Sequence, residues 1–342
     1  MTNRLLGIDL GTSTLKIYRK GHEIVFDEKN VIAIENKKRV IAFGDEAYEM
    51  LEKAPRNIKV SYPVRNGVIA DIANMETLIN STFKKILRTN FKGGYCIIAV
   101  PTDITEVEKM AFKDLIAHSC IKAKSVGIVD KPIAAALGAG LDITCASGVM
   151  TVDIGADTTE ISIMSLGGIV ISKLIPIGGN KLDESIRLYV KKKYNLLIGD
   201  KTAENIKKEL ADAYNLEERS IKVYGRNVVT GLPSEMEIKS NMVHEAIIEY
   251  LNSIIDNIKM ILERTPPEIS SDIIDSGIYI LGGSSSIRNL DNLISQETDL
   301  KVNICPSPAN AVINGLGTII DDANLKTLTS IVASGSIKRK LK

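Results

Sequence analysis

Long apolar runs, paired cysteines and an excess of charge of one sign are all missing from this sequence, and each absence removes a class of function. No stretch approaches the roughly 20 apolar residues of a transmembrane helix, so no spanning segment is expected. Lys and Arg number 43 against 42 Asp and Glu, which leaves no bulk field to hold DNA or RNA. The four cysteines, Cys96, Cys120, Cys145 and Cys305, form no Cys-x-x-Cys pair, so neither a zinc site nor a disulfide framework is expected. They read as small core residues in a reducing compartment. The opening MTNRLLGIDLG enters an apolar run without a basic region and a long hydrophobic core, so the reading is no signal peptide and a cytosolic location. What is present, 44% hydrophobic and 25% charged residues over 342 positions, suits an ordinary globular protein of about two domains.

Strand and helix patterns alternate along the chain. RLLGIDL reads as a buried strand, followed by short β-rich runs at 15–19, 23–27 and 31–35. A helix is expected after Asp71 as N-cap, with Ile72, Met75, Leu78, Ile79, Phe83 and Ile86 on its apolar face. Strands at 95–101 and 124–130 enclose a helix over 105–119, and an Ala-rich helix follows Pro132. The pattern then restarts: LGIDLGTSTLKIY (6–18) and MTVDIGADTTEIS (150–162) share one order of apolar residue, Asp, apolar residue, Gly and small polar residues. Helices are expected at 180–194, 200–211 and 241–264, and a strand at 277–283 precedes a helix ending near Gln296. A duplicated strand-turn-strand unit opening each half implies two related α/β domains, with ligands at the strand ends where the turns gather.

Glycine lets a chain approach a phosphate and aim backbone N–H groups at it. Gly11 with Thr12, Ser13 and Thr14 fits this in the first turn, and Gly155 with Thr158 and Thr159 in the second. Asp9 and Asp153 end the two strands and suit Mg²⁺, which keeps most of its water and takes few carboxylates. A lone Asp-x-Gly turn is usually only a hairpin, and its duplication is what carries the phosphate reading. LGGSSSIRNL (281–290) leaves a strand and opens a helix, a junction that suits a nucleotide.

These three elements resemble the actin and DnaK-type ATPase superfamily, and within it the MreB/Mbl bacterial actins. The carrying segments are GIDLGT, NGVIAD, AVPTDITEVEK, PIAAALGAGL, DIGADTTEISIMSLG, TAENIK, TGLP, ERTPPEISSDIIDSGIYILGG and NAVINGLG, spread over nearly the whole chain. The resemblance implies an α/β, actin-like ATPase fold of two duplicated domains, four subdomains in all, around a nucleotide cleft. Matched positions put the large subdomain of the first half at 1–31 and 72–142 and its small one at 32–71. The second half would use 143–180 and 246–322, with 181–245 as the small subdomain and 323–342 as a C-terminal helix and basic tail. Implied nucleotide contacts are Gly11, Thr12, Ser13, Thr14, Lys16, Gly155, Ala156, Asp157, Thr158, Thr159, Glu204, Asn205, Ile206, Lys207, Gly282, Gly283, Ser284 and Ser285. Asp9 and Asp153 would face Mg²⁺, and Asp130, Lys131, Asp153 and Thr158 are the implied catalytic positions. The expected cofactors are ATP or GTP with Mg²⁺.

Three departures from the family pattern bear on mechanism. Ala156 and Asp157 replace two glycines; Lys131, preceded by Asp130, replaces the water-activating Glu before the proline; and Lys16 stands where the family has an apolar residue. An ammonium cannot accept a proton from water, so fast hydrolysis by the usual route is not expected. Asp157 beside a phosphate would cost about 1 to 4 kcal/mol without an intervening cation. It either pairs with Lys16 or Lys131, ligates the metal, or points outward as a turn residue. The resemblance further implies self-association into paired protofilaments at the inner membrane face, together with the cell-wall elongation machinery and rod shape. Phe91 in RTNFKGGY (88–95) and the tail Lys338, Arg339, Lys340 and Lys342 are the candidate membrane contacts. The alternatives are a scaffold filament with little hydrolysis, or another superfamily ATPase such as a plasmid-segregation actin.

Overall fold

The computed structural model describes residues 4–87, 93–214 and 217–333. Phe91 and the basic tail, the expected membrane contacts, lie outside the described residues. The chain forms two compact units, Met1–Gly140 with Val312–Lys342 and Leu141–Ala311.

The first unit begins with strands β1 (Leu5–Leu10), β2 (Thr14–Arg19), β3 (Glu23–Lys29), β4 (Ile32–Glu35) and β5 (Arg39–Phe43) and helix α1 (Asp45–Glu49). It continues with β6 (Ile58–Ser61), β7 (Val64–Arg65), β8 (Val68–Ile69), α2 (Ile72–Ile86), β9 (Tyr95–Val100), α3 (Glu106–Ala117), β10 (Ser125–Asp130) and α4 (Lys131–Gly138). The second unit holds β11 (Val149–Ile154), β12 (Thr159–Ser165), β13 (Gly168–Ile175), α5 (Gly179–Tyr194), β14 (Leu196–Leu197) and α6 (Asp200–Leu210). There follow β15 (Ser220–Asn227), β16 (Pro233–Lys239), α7 (Ser240–Glu263), α8 (Pro267–Ser276), β17 (Ile278–Leu281), α9 (Leu290–Thr298) and β18 (Val302–Ile304). Helix α10 (Ala311–Asp321) and strand β19 (Ser330–Ala333) then return to the first unit.

The sheets repeat one plan. In the first unit the order is β19-β10-β9-β1-β2-β3, with β10, β9 and β1 parallel and the β1–β2–β3 meander antiparallel. In the second the order is β13-β12-β11-β17-β18, again a meander joined to parallel strands. The parallel strands are near-continuous apolar runs because helices cover both faces, as in VMTVDI, buried at every position. Each unit adds a small three-stranded sheet, β5-β4-β6 or β14-β15-β16.

Local signals set the helix starts. Asp71 accepts a hydrogen bond from the Asn74 N–H at 3.1 Å, capping α2, whose Met75, Leu78, Ile79 and Phe83 face the core. Thr105 and Glu108 form a reciprocal capping box on α3.

The structure differs from the sequence reading in several places. The β15–β16 hairpin was not expected, because its strands alternate charged with part-buried residues and carry little apolar signal. Helix α8 starts on the Pro266-Pro267 pair, where proline sits at the first helical position. Gly282 leads first into a 3₁₀ turn over Gly283–Ser286, and α9 opens only at Leu290. Where a C-terminal helix was expected, Asn324–Leu328 make a short 3₁₀ turn and Ser330–Ala333, with the β-branched pair Ile331 and Val332, pair antiparallel with β10.

Candidate functional site

In the first unit the β1–β2 turn sits at the C-terminal end of β1. Asp9 is buried just before it. The turn is clamped from the β3–β4 junction by Asn30, which has no exposed surface: its N–H donates to the Ser13 carbonyl at 2.9 Å and its Nδ2 to the Gly11 carbonyl at 2.8 Å. Those two bonds turn the loop's carbonyls toward β3. Lys16 is buried on β2 opposite Asp27 on β3, and its Nζ lies 2.7 Å from Asp27 Oδ2. The extra lysine therefore carries its own counter-charge.

The register places Asp130 on the same sheet end. Asp9 is aligned with Ala99 on β9, and Ala99 with Val129 on β10. Asp130 thus lies two strands from β1, about 10 Å at the usual spacing. It caps α4 without a side-chain cap bond, and Lys131 follows as the first helical residue. Burial raises the Asp130 carboxyl above the ordinary aspartate range, with the Lys109 ammonium pulling the other way.

In the second unit the β11–β12 turn is held from three sides. The N–H groups of Gly179 and Asn180, at the start of α5, donate to the carbonyls of Gly155 at 3.0 Å and Ala156 at 2.7 Å. Ser284 Oγ also donates to Gly155 O at 3.0 Å, and Thr159 Oγ1 to Ile177 O at 2.7 Å. The helix thereby uses its first orphan donors on the turn. Among the described residues no backbone carbonyl takes the N–H groups of Ala156 or Thr158. A loop whose carbonyls are tied back and whose amides are not is a nest for an anion. Asp157 receives a hydrogen bond from Asn180 Nδ2 at 2.7 Å. Its carboxylate is thus anchored on α5 within its own unit.

Gly282 and Gly283 complete this end. Gly282 has φ +82°, and a Cβ there would lie 2.3 Å from Ile154 O and 2.4 Å from Asp153 Oδ1, so only glycine lets β17 pass β11 this closely. At Gly283 a Cβ would meet nothing within 4 Å, which leaves a cradle open beside the turn. Ser285 is buried and holds the 3₁₀ turn through Gly282 O at 2.7 Å. Asp153 is buried at the end of β11. Among the described residues no three His, Cys, Asp or Glu side chains gather as a metal site. Each unit thus ends its first strand in one buried carboxylate, a donor type suited to the water shell of Mg²⁺.

The α6 positions separate. Ile206 is a core residue with no exposed surface, Asn205 is exposed, and Glu204 pairs with Lys208 at 2.7 Å. Lys207 is not a solvated helix charge: its Nζ donates to Asp183 Oδ2 at 2.7 Å and to Gly179 O at 2.8 Å, tying α6 to the start of α5. Burial raises the Asp183 carboxyl above its usual range, opposed by the Lys207 ammonium. Asp183, Asn180 and Asn30 were not anticipated. Only the Lys16–Asp27 pair was within reach of the sequence, by counting across the hairpin read at 15–19 and 23–27.

Lys207→Met should lower stability by about 3 to 5 kcal/mol, the usual cost of stranding a buried charge. The loss should be larger at neutral than at acidic pH, where Asp183 is protonated, and denaturant titrations at the two pH values would measure it. Equal losses at both would show that Asp183 does not carry the effect.

Residues 3–328 match the family model described as MreB/Mbl protein. The chain is 39% identical over 328 residues to the cell shape-determining protein Mbl of Bacillus subtilis (strain 168), covering 94% of this chain and 97% of that protein. It is 39% identical over 324 residues to the cell shape-determining protein MreB of Escherichia coli (strain K12), covering 92% and 93%. Among solved structures, MreB 5 of Spiroplasma citri bound to AMPPNP superposes with a TM-score of 0.90 at 35% identity, covering 94% of this chain and 97% of that one. The MamK double helical filament superposes at 0.78 with 23% identity, covering 93% and 98%, a likeness of fold.

Proposed function

This chain belongs to the MreB/Mbl family of bacterial actin homologues, and from that premise we propose that it is a nucleotide-dependent filament protein that organises rod shape and wall synthesis at the inner membrane face. The observation that carries the nucleotide half of this reading is the β11–β12 turn, with its carbonyls drawn back by α5 and Ser284 and its amides at Ala156 and Thr158 left for an anion. In the second unit Gly155, Thr158 and Thr159 with Gly282–Ser285 would contact phosphate, and in the first unit Gly11–Thr14 would do so. Glu204 and Lys207 frame the nucleoside end; Asn205 and Ile206 serve through the backbone of α6. Residues 32–71 and 181–245, which contain the two small sheets, act as the small subdomains. ATP is the favoured ligand because the related Spiroplasma citri protein is described with AMPPNP and with ADP.

Bound Mg²⁺ would neutralise phosphate charge, with Asp9 and Asp153 orienting its water shell. Lys131, an ammonium, orients phosphate and cannot take the proton of an attacking water. Asp130, next to it, is a carboxylate with a raised pKa and takes that role. Phe91 and the basic tail supply membrane attachment, each weak alone and multiplied along a filament.

Sedimentation with ATP, with a non-hydrolysable analogue and without nucleotide, with phosphate release followed in the same samples, tests the reading. Pelleting that requires nucleotide is the expected outcome, and pelleting indifferent to it would overturn nucleotide control. Lys131 favours a second reading, a scaffold filament that holds nucleotide without cleaving it; nucleotide-dependent pelleting with no phosphate release would select it.

A further inference from the structure

Asn30, between β3 and β4, reaches the first turn with two donors, its backbone N–H to Ser13 O at 2.9 Å and its Nδ2 to Gly11 O at 2.8 Å. The residue has no exposed surface, so it can act on a ligand only through the turn. It is itself held in place. The Gly44 N–H donates to Val31 O at 2.9 Å and the Lys29 N–H to Asp45 Oδ1 at 2.9 Å, which fixes the residues on either side of it.

Two observations set this clamp apart from ordinary loop packing. The first is that both units do the same thing with different parts. Gly11 and Gly155 hold the same place in the duplicated pattern, and in each unit that glycine's carbonyl is drawn back. In the second unit the Gly179 N–H and Ser284 Oγ do so; in the first it is the side-chain amide of Asn30. Drawing the carbonyl back is what a turn needs if its amides are to meet an anion.

The second observation is a cost. Asn30 Oδ1 is buried and accepts no hydrogen bond among the described residues. Because Nδ2 faces a carbonyl it must be the donor, so the amide cannot be turned round to satisfy its oxygen. A buried acceptor left unmet works against folding. The hairpin does not require the sacrifice, since the β1–β2 ladder runs on to the Leu10–Leu15 pair and closes the turn by itself. The stranded oxygen is tolerated for the sake of the Nδ2 donor, whose one effect is on the carbonyl of Gly11.

We propose that Asn30 is a positioning residue for nucleotide phosphate, holding the Gly11 and Ser13 carbonyls back so that the first turn offers donors to the anion. The proposal rests on the nucleotide-binding reading above.

The test is equilibrium binding of a fluorescent non-hydrolysable ATP analogue to the full chain, with melting temperatures measured on the same samples, for Asn30→Leu and for Ile79→Val. Leucine is close to asparagine in shape and removes both the donor and the stranded oxygen, an exchange that is nearly neutral for folding. Its melting temperature should stay within about 4 °C of the parent, while affinity falls about tenfold, the worth of a hydrogen bond to a charged group. Ile79→Val trims a fully buried side chain of α2 and should keep affinity within about twofold whatever it does to the melting temperature. Parent-like affinity in Asn30→Leu would overturn the proposal, and so would an equal loss in Ile79→Val, which would make binding a reporter of stability alone. If Asn30→Leu does not fold, Asn30→Ala, which needs no extra room, is set against Ile79→Val in the same way. A parent protein that does not bind the analogue would overturn the nucleotide reading itself, whereas a parent that binds it with no Asn30 effect would overturn this proposal alone.

Discussion

Asp130→Asn is expected to slow phosphate release at saturating ATP by about 100-fold while nucleotide-dependent pelleting persists. A positioned general base contributes about 10² to 10⁴ in rate, and the amide keeps the shape of the carboxylate without its basicity. The pH profile should separate this from a loss of packing. Burial raises the Asp130 carboxyl, so the parent should lose activity on acidification at a pH above that of an ordinary aspartate, and the residual activity of the variant should lack that limb. Stability should move the opposite way. A carboxyl whose folded pKa is raised favours folding while it is protonated, and that contribution is lost as pH rises through the folded value. At neutral pH the folded chain therefore carries a charge it would rather lack, and Asp130→Asn should raise the melting temperature there but not under acidic conditions. A variant more stable and far slower would be the signature of a residue kept for chemistry at some expense in stability. Parent-like phosphate release in Asp130→Asn would instead return the water-activating role to another group, and Lys131→Glu would then be the informative variant.

Gly315→Ala is expected to be the most damaging small substitution in the first unit. Helix α10 crosses α4 with Gly315 against the Ala134 carbonyl, and a Cβ would lie 1.7 Å from that oxygen and 2.6 Å from its carbon. Both obstacles are backbone, so no rotamer change relieves them. Overpacking usually costs about 1 to 3 kcal/mol when side chains can shift, and this contact lies beyond that remedy. In a unit of this size each kcal/mol is worth about 2 to 4 °C, so a fall of more than about 10 °C or loss of soluble protein should follow. Gly317→Ala is the comparison: the nearest obstacle to its Cβ is the Tyr18 ring at 2.8 Å, a side chain that can shift. Near-equal melting temperatures for the two variants would show that α4 and α10 are not locked together. Since α4 begins at Lys131, a folded Gly315→Ala protein should also lose phosphate release.

The parts of the fold that were legible are those whose signal is local. Asp9 and Asp153 each close an apolar strand before a glycine turn, and the repetition of that short pattern exposed the two-fold plan of the sheets. Asp71 and the spacing from Met75 to Phe83 gave α2 within a residue of its ends. What could not be read was pairing between distant segments. Lys207 and Asp183 lie 24 residues apart on two helices, and only their packing turns a charged surface pattern into a buried tie. Helix α10 hides behind Gly315 and Gly317, which lower helix propensity in isolation and become necessary only once α4 and Tyr18 are beside them. Ile206 came as a site position from the family pattern, and the burial of its side chain on the apolar face of α6 leaves only its backbone for that role.

The closing of the first unit by α10 and β19 has a consequence for synthesis. The second unit is one uninterrupted stretch, Leu141–Ala311, while the first needs its opening segment and its last one together. On a ribosome the second unit has all its strands available before the chain is finished; the first must hold a β1–β2–β3 meander and two parallel strands with one edge open until β19 emerges to cover β10. The usual N-terminal-first order of maturation is thus reversed, and the newborn protein spends its longest wait with an exposed strand edge at β10.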